Sequence, residues 1–149
     1  MLNPDYRDML SALSAAQVEY LVVGAYALAA HGLPRSTGDI DFWIRPTPEN
    51  ADRVFAALIQ FGAPLQGLTR DDLSRAGTVF QIGVAPRRID LLTAIDGIDF
   101  DIAWSDRETR EVDGVSVPVL SRAHLLQNKR ATGRPKDHLD ADWLERGDT

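Results

Sequence analysis

The stretch from Glu19 to Arg45 restricts this chain more than any other. Tyr20, Leu21, Val22 and Val23 run together as a short buried strand, and Gly24 breaks the run. Ala25 to His31 is alanine-rich and helical, with Gly32 as its stop. A second strand covers Ile40 to Arg45, ended by Pro46 and Pro48. Because successive strand residues face opposite ways, Ile40, Phe42 and Ile44 share one face. Asp39, Asp41 and Trp43 share the other. Strand, glycine turn, helix and strand in so short a span commit the chain to a sheet with helices packed on it.

The remaining elements extend that plan. Pro4 to Ala15 reads as a helix with Met9, Leu10 and Leu13 on its apolar stripe. Thr47 caps a helix from Pro48 to Phe61 whose buried side carries Val54, Leu58 and Phe61, and Gly62 closes it. A short helix is expected around Asp71 to Arg75. Thr78 to Val84 and Arg87 to Leu92 form a hairpin over Ala85-Pro86. Glu108 to Val112 and Val115 to Leu120 form another over Asp113-Gly114. Ser121 caps a helix to Ala131, and a last helix runs from Pro135 to Glu145. The expected fold class is α+β, a small mixed sheet with helices packed on it.

At 149 residues the chain suits one domain, residues 1–149, with no repeat or linker to divide it. No apolar run is long enough to span a bilayer, and the N-terminus lacks a basic-then-apolar secretory pattern. With no cysteine, disulfides and thiolate metal sites are excluded, which fits a cytoplasmic protein. The net charge of −6 argues against a broad grip on nucleic acid, so any such contact needs a local patch. An acidic excess also arises where carboxylates gather around divalent cations. Of 16 basic residues only two are lysines, Lys129 and Lys136, both near the C-terminus. Lysine is a mobile point charge suited to a phosphate oxygen; a solvated helix face is the other explanation.

The chemistry concentrates where the fold is most constrained. Asp39 and Asp41, two apart on a strand, stand roughly 7 Å apart at Cα with carboxylates on one face. Such a pair can hold Mg2+, a hard cation that keeps open positions for substrate phosphates. Two such ions about 4 Å apart would clamp the attacking and leaving oxygens of phosphoryl or nucleotidyl transfer. Asp90, between Ile89 and Leu91, is an acid in an apolar strand and costly to bury unless paired or metal-bound. Its partner is then Arg87, Arg88 or an ion. The free N–H groups after Gly24 favour an anion, and glycine lets a phosphate approach the backbone.

Gly24, the helix after it, Arg35-Ser36-Thr37, Asp39-Ile40-Asp41 and the later Asp90 together resemble the signature of the DNA polymerase β-like nucleotidyltransferase superfamily. With His31-Gly32 they are similar to its small bacterial members, the minimal-nucleotidyltransferase and abortive-infection toxin groups. The resemblance implies a polymerase β palm-like fold and transfer of a nucleoside monophosphate from an NTP to a hydroxyl, with release of pyrophosphate. It implies that Asp39, Asp41 and Asp90 ligate two Mg2+ ions, with Mn2+ as a substitute, and that Asp90 serves as base. Gly24 corresponds to the first glycine of the phosphate turn. Ala25 stands where the family has Gly or Ser, so backbone N–H groups, Arg35 and Thr37 would carry the triphosphate contact. Lys129, Arg134 and Lys136, with Asp137, resemble a basic stretch that neutralises the triphosphate, and the helices over about 121–146 would complete the cleft.

The resemblance further implies a tRNA end, a protein or a small molecule as acceptor, with tRNA or protein favoured, and an antitoxin as partner if the chain is a toxin. The rival reading is an inactive nucleotidyltransferase fold that acts as a binding module, and Ala25 is the feature that favours it. Other polar residues have plainer expectations. His31 caps or packs, His124 and His138 lie at the surface, and Asp140 and Asp142 belong to a solvated helix face. Asp99 and Asp101 repeat the Asp-x-Asp spacing without a glycine turn before them, and Trp43 either stacks on a base or packs.

Overall fold

The computed structural model describes residues 2–33, 38–112 and 114–146. Most helices start where a side chain satisfies an otherwise unpaired N–H. Asn3 accepts from the Asp5 N–H to open α1 (Pro4–Ala15), Thr47 opens α3 (Pro48–Phe61), and Ser121 opens α6 (Arg122–Thr132). Pro4 and Pro48 sit in first turns that need no amide donor, and Gly62 closes α3 in the left-handed conformation at φ 88°. Helix α2 (Gly24–Ala30) follows β1 (Tyr20–Val23) directly. Thr69 and Asp72 cap each other around α4 (Arg70–Leu73). Helices α6 and α7 (Pro135–Arg146) meet at Gly133, left-handed at φ 68°.

The six-stranded sheet has the order β3-β4-β2-β1-β6-β5. Strand β2 (Ile40–Ile44) pairs antiparallel with β1 and parallel with β4 (Ile89–Leu92). The hairpins are β3 (Val79–Ile82) with β4, and β5 (Glu108–Val112) with β6 (Val115–Val119), both antiparallel. Parallel pairing of β1 with β6 completes a mixed sheet, so the α+β expectation holds. Asp113, half of the expected turn pair, lies outside the described residues.

Strand β2 is covered on both faces: Phe42, Trp43 and Ile44 are all buried. Phe42 meets Tyr20 edge-to-face at 5.6 Å, and Trp43, on the opposite face, meets Phe100 at 5.0 Å. Phe100 opens α5 (Phe100–Ser105), an element the sequence pattern does not predict, since six residues are too few to display a helical period. Trp43 therefore packs. The buried Asn50 ties β1 to β2: its amide donates to the Glu19 and Arg45 carbonyls and its oxygen accepts from the Glu19 N–H.

Of the polar residues expected at the surface, one lies inside and one is partly buried. Asp140 is buried between α6 and α7, where it faces a cation. The His124 side chain is only 12% exposed, with Nε2 3.6 Å from Asp106. Asp142 and His138 are exposed as expected. Among the described residues no helix is long and apolar enough to cross a membrane.

Candidate active site

The parallel register of β2 with β4 pairs Ile40 with Ile89, Asp41 with Asp90 and Phe42 with Leu91. Two carboxylates from separate strands are thereby set side by side on one face. On its other flank Asp41 pairs with Val23, the residue before Gly24. Gly24 adopts φ +69°, and a Cβ there would lie 2.3 Å from the Asp41 Oδ2. Only glycine lets α2 start so close to that carboxylate. Gly38 is equally confined, since a Cβ would come within 2.8 Å of the Pro86 carbonyl at the β3–β4 hairpin tip.

Asp39, just before β2, accepts from the Arg88 N–H at 3.0 Å through Oδ1, and its Oδ2 is 3.2 Å from Arg88 Nη2. Arg88 Nε and Nη2 also donate to the two oxygens of Asp90 at 2.7 and 3.1 Å. Of the two arginines expected as possible partners for Asp90, the structure selects Arg88. Two positions before Asp90 and just ahead of β4, it is close enough for its side chain to reach that carboxylate. Its guanidinium fork spans Asp39 and Asp90.

One guanidinium faces three carboxylates, and the imbalance shows in Asp41. Burial first, then the hydrogen bond and repulsion from Asp90 and the charge of Asp39, push Asp41 up to about 7, against the pull of Arg88. The same field reaches Tyr6 on α1. Burial, then Tyr26, then the three aspartates push its phenol up to about 12.

Among the described residues no three acids or histidines converge as a finished cage for one ion. Arg88 holds Asp39 and Asp90 on its own fork instead. The donor chemistry still fits Mg2+ or Mn2+, because it offers hard carboxylate oxygens whose charge a divalent cation would offset.

These residues form one wall of a cleft of about 450 Å³. Val23, Gly24, Ala25 and Leu28 line it from β1 and α2, and Asn128, Lys129, Arg134, Lys136 and Asp140 from α6, α7 and the turn between them. The cleft thus brings together eight of the ten sequence candidates: Asp39, Asp41, Asp90, Gly24, Ala25, Lys129, Arg134 and Lys136. Arg35 and Thr37 lie outside the described residues.

The basic residues differ in what occupies them. Lys129 is 10% exposed, and its Nζ lies 3.5 Å from Asp137 and 3.6 Å from Asp140. Asp137 has no exposed side-chain surface, and it accepts from Arg134 Nε and Thr132 Oγ1, both at 2.7 Å. Burial alone would raise its pKa; Arg134, Thr132 and Lys129 together hold it well below the usual carboxylate range. Lys129 is therefore first of all the cation that joins α6 to α7. Arg134 is 58% exposed at the rim, and Lys136 is exposed there too.

Of the remaining candidates, His31 ends α2 with Nε2 2.8 Å from the Leu120 carbonyl, a packing role. Asp101 pairs with Arg45, and neither Asp99 nor Asp101 lines the cleft. Sequence reasoning missed Asp140 and Tyr6. No sequence signal announced either one, since both reach the site through tertiary packing.

No protein-family model and no curated protein matches the chain in sequence. Solved structures do match. TM1012 of Thermotoga maritima, provisionally assigned as a nucleotidyltransferase, aligns at a TM-score of 0.60 and 18% identity over 98% of this chain and 96% of that one. The lincosamide antibiotic adenylyltransferase LnuA, in a lincomycin-bound structure, aligns at 0.62 and 13% identity over 99% of each chain. The antibiotic-resistance factor ANT(2'')-Ia aligns at 0.58 and 15% identity over 94% of this chain and 80% of that one. At these identities the likeness is one of fold, and the chain has the nucleotidyltransferase fold.

Proposed function

We propose, on the premise of that fold, that the chain is a metal-dependent nucleotidyltransferase that moves a nucleoside monophosphate from an NTP to a hydroxyl acceptor. The observation that carries this reading is the register of β2 with β4. It sets Asp41 beside Asp90 in a cleft whose other walls carry the glycine turn and the C-terminal cations. Asp39, Asp41 and Asp90 would hold Mg2+, two ions in the loaded site, with Mn2+ as a substitute. When bound, the metal offsets triphosphate charge and polarises the reacting oxygens.

The acceptor oxygen forms a bond to the α-phosphorus, and the bond from that phosphorus to the bridging oxygen of the β-phosphate breaks. Pyrophosphate leaves, and Asp90 takes the hydroxyl proton. The backbone at Gly24 and Ala25, together with Arg35 and Thr37, orients the triphosphate. Arg134 and Lys136 offset its charge at the rim, while Lys129 acts chiefly by holding α6 on α7. Residues 1–149 work as one domain in this reading, with α6 and α7 closing the cleft.

For the acceptor we favour a small-molecule hydroxyl over a tRNA end or a protein. LnuA is a lincosamide antibiotic adenylyltransferase and ANT(2'')-Ia an antibiotic-resistance factor, and a net charge of −6 gives long RNA little to hold. A toxin with an antitoxin partner remains the rival biological role. The second molecular reading, a binding module without catalysis, draws on Ala25 and on Arg88, which already neutralises two of the three acids.

The test is incubation with each labelled NTP and Mg2+, once with cell extract and once with a panel of hydroxylated small molecules. Label should appear in a small-molecule fraction and vanish in Asp39→Ala and Asp90→Ala. Label on RNA or protein would move the acceptor class. Labelling that persists in both variants, or no nucleotide response from the intact chain, would overturn the enzyme reading.

A further inference from the structure

Tyr6 sends its hydroxyl to the segments that lead into the two acid-bearing strands. It lies on α1, is 1% exposed, and comes from a helix 32 and 82 residues away in sequence from the groups it touches. Its hydroxyl donates to the Gly38 carbonyl at 2.7 Å and stands 3.3 Å from the Arg88 carbonyl. The Arg88 carbonyl also accepts from the Ile40 N–H at 3.1 Å, and the Arg88 N–H donates to Asp39. The Tyr6 ring meets Tyr26 of α2 edge-to-face at 5.9 Å.

One side chain thus reaches three segments that set the site: the helix after Gly24 through the Tyr26 ring, the carbonyl at the entry to β2 beside Asp39, and the carbonyl at the entry to β4 two residues before Asp90. Resting on the function proposed above, we infer that Tyr6 is a positioning residue for the metal-binding carboxylates, its hydroxyl fixing the segment of Gly38 and Asp39 against β4.

The chemistry supports a specific need for the hydroxyl. A phenol buried in an apolar core costs free energy unless it finds a partner, and phenylalanine would fill the same space without that demand. Gly38 precedes β2, so the hydroxyl supplies a bond that the sheet does not. Without it, the Gly38 carbonyl loses this donor, and the hydrogen bonds left to the segment bearing Asp39 among the described residues run through Arg88. Burial pushes the Tyr6 phenol up to about 12, which favours its role as a donor near neutral pH.

The test is Tyr6→Phe, with Tyr26→Phe and Asp90→Asn as comparisons, read by Mn2+ titration in electron paramagnetic resonance and by melting with no divalent ion present. We expect Tyr6→Phe to fold and its Mn2+ Kd to rise by about tenfold, the low end for loss of a residue that supports a ligand. High Mn2+ should restore saturation, Tyr26→Phe should match wild type, and Asp90→Asn should lose the site.

A Tyr6→Phe protein that melts lower yet binds Mn2+ as wild type does would overturn this inference and leave the proposed function standing. A wild-type chain that binds no Mn2+, or an Asp90→Asn chain that binds it normally, would overturn both. A second measurement covers the case in which Tyr6→Phe does not fold. In wild type labelled with 3-fluorotyrosine, Mg2+ should shift the fluorine resonance of Tyr6, identified by elimination with Tyr20→Phe and Tyr26→Phe. An unmoved resonance at saturating Mg2+ would overturn the inference.

Discussion

Gly24→Ala should damage function more than stability, and both amounts can be worked from the structure. The residue holds φ +69°, a conformation that costs an alanine about 1–2 kcal/mol. In a chain of this size that lowers the melting temperature by roughly 2–8 °C. The functional loss has a different origin. The new Cβ would stand 2.3 Å from Asp41 Oδ2, whereas real contacts do not fall under 3.0 Å, so the carboxylate must retreat by at least 0.7 Å. A misplacement approaching 1 Å at a reacting centre costs about 100-fold in rate, or roughly 2.7 kcal/mol of barrier. Gly32→Ala separates the two effects. Gly32 also has positive φ, at +103°, yet its Cβ would meet nothing within 4 Å. The assays are melting with and without Mg2+ and ATP, and kcat/KM for nucleotidyl transfer. Gly32→Ala should lose stability alone, and Gly24→Ala should lose the nucleotide-dependent rise in melting temperature as well. If Gly24→Ala kept wild-type kcat/KM and the full nucleotide response, the idea that glycine is there to admit the Asp41 carboxylate would be refuted.

Other perturbations separate the roles of the charged residues. Lys129→Met should leave Asp137 and Asp140 buried without their shared cation and cost about 3–5 kcal/mol in denaturant unfolding; adding Asp137→Asn and Asp140→Asn should recover part of the loss. Asp137, whose folded pKa is depressed, contributes stability that is complete above its unfolded value of about 3.9 and is lost as pH falls through the folded value. Unfolding curves of wild type and Asp137→Asn should therefore differ most at neutral pH and converge in acid; a constant gap at all pH would contradict the ionic account. Arg88→Met should lower the melting temperature in chelator but enlarge the rise that Mg2+ produces, because Asp39 and Asp90 lose the cation that now occupies them. An unchanged Mg2+ response would show that Arg88 does not compete for the acids. Trp43→Ala should cost about 3–5 kcal/mol by opening the packing against Phe100, with the Michaelis constant for the nucleotide unchanged if Trp43 is a packing residue only.

Local rules made much of this chain legible. The caps at Thr47 and Ser121, the stop at Gly62 and the alternation along Ile40–Ile44 act within a few residues, and the corresponding elements appear where those signals put them. Asp39, Asp41 and Asp90 stand out for a related reason: an acid in an apolar strand is conspicuous without any knowledge of its neighbours. Strand register is not a local property. That β4 lies parallel beside β2 with Asp90 opposite Asp41, rather than one residue displaced and facing away, depends on packing across the whole sheet.

Long-range contacts account for the differences as well. Asp140 looks solvated when α7 is read alone, and only the docking of α6 supplies the buried Lys129 that neutralises it. Lys129 and Lys136 are the same residue type seven positions apart, yet one is enclosed by two acids and the other lies exposed at the cleft rim. Tyr6 reads as one more apolar residue on a helical stripe until folding brings its hydroxyl to Gly38. Residue type and spacing determined which chemistry this chain can offer, because backbone geometry repeats every two or 3.6 residues. Which groups meet, and which charges stay available to a substrate, was decided by the tertiary structure, because electrostatic and hydrogen-bonding energies depend on distance and burial and not on position along the chain.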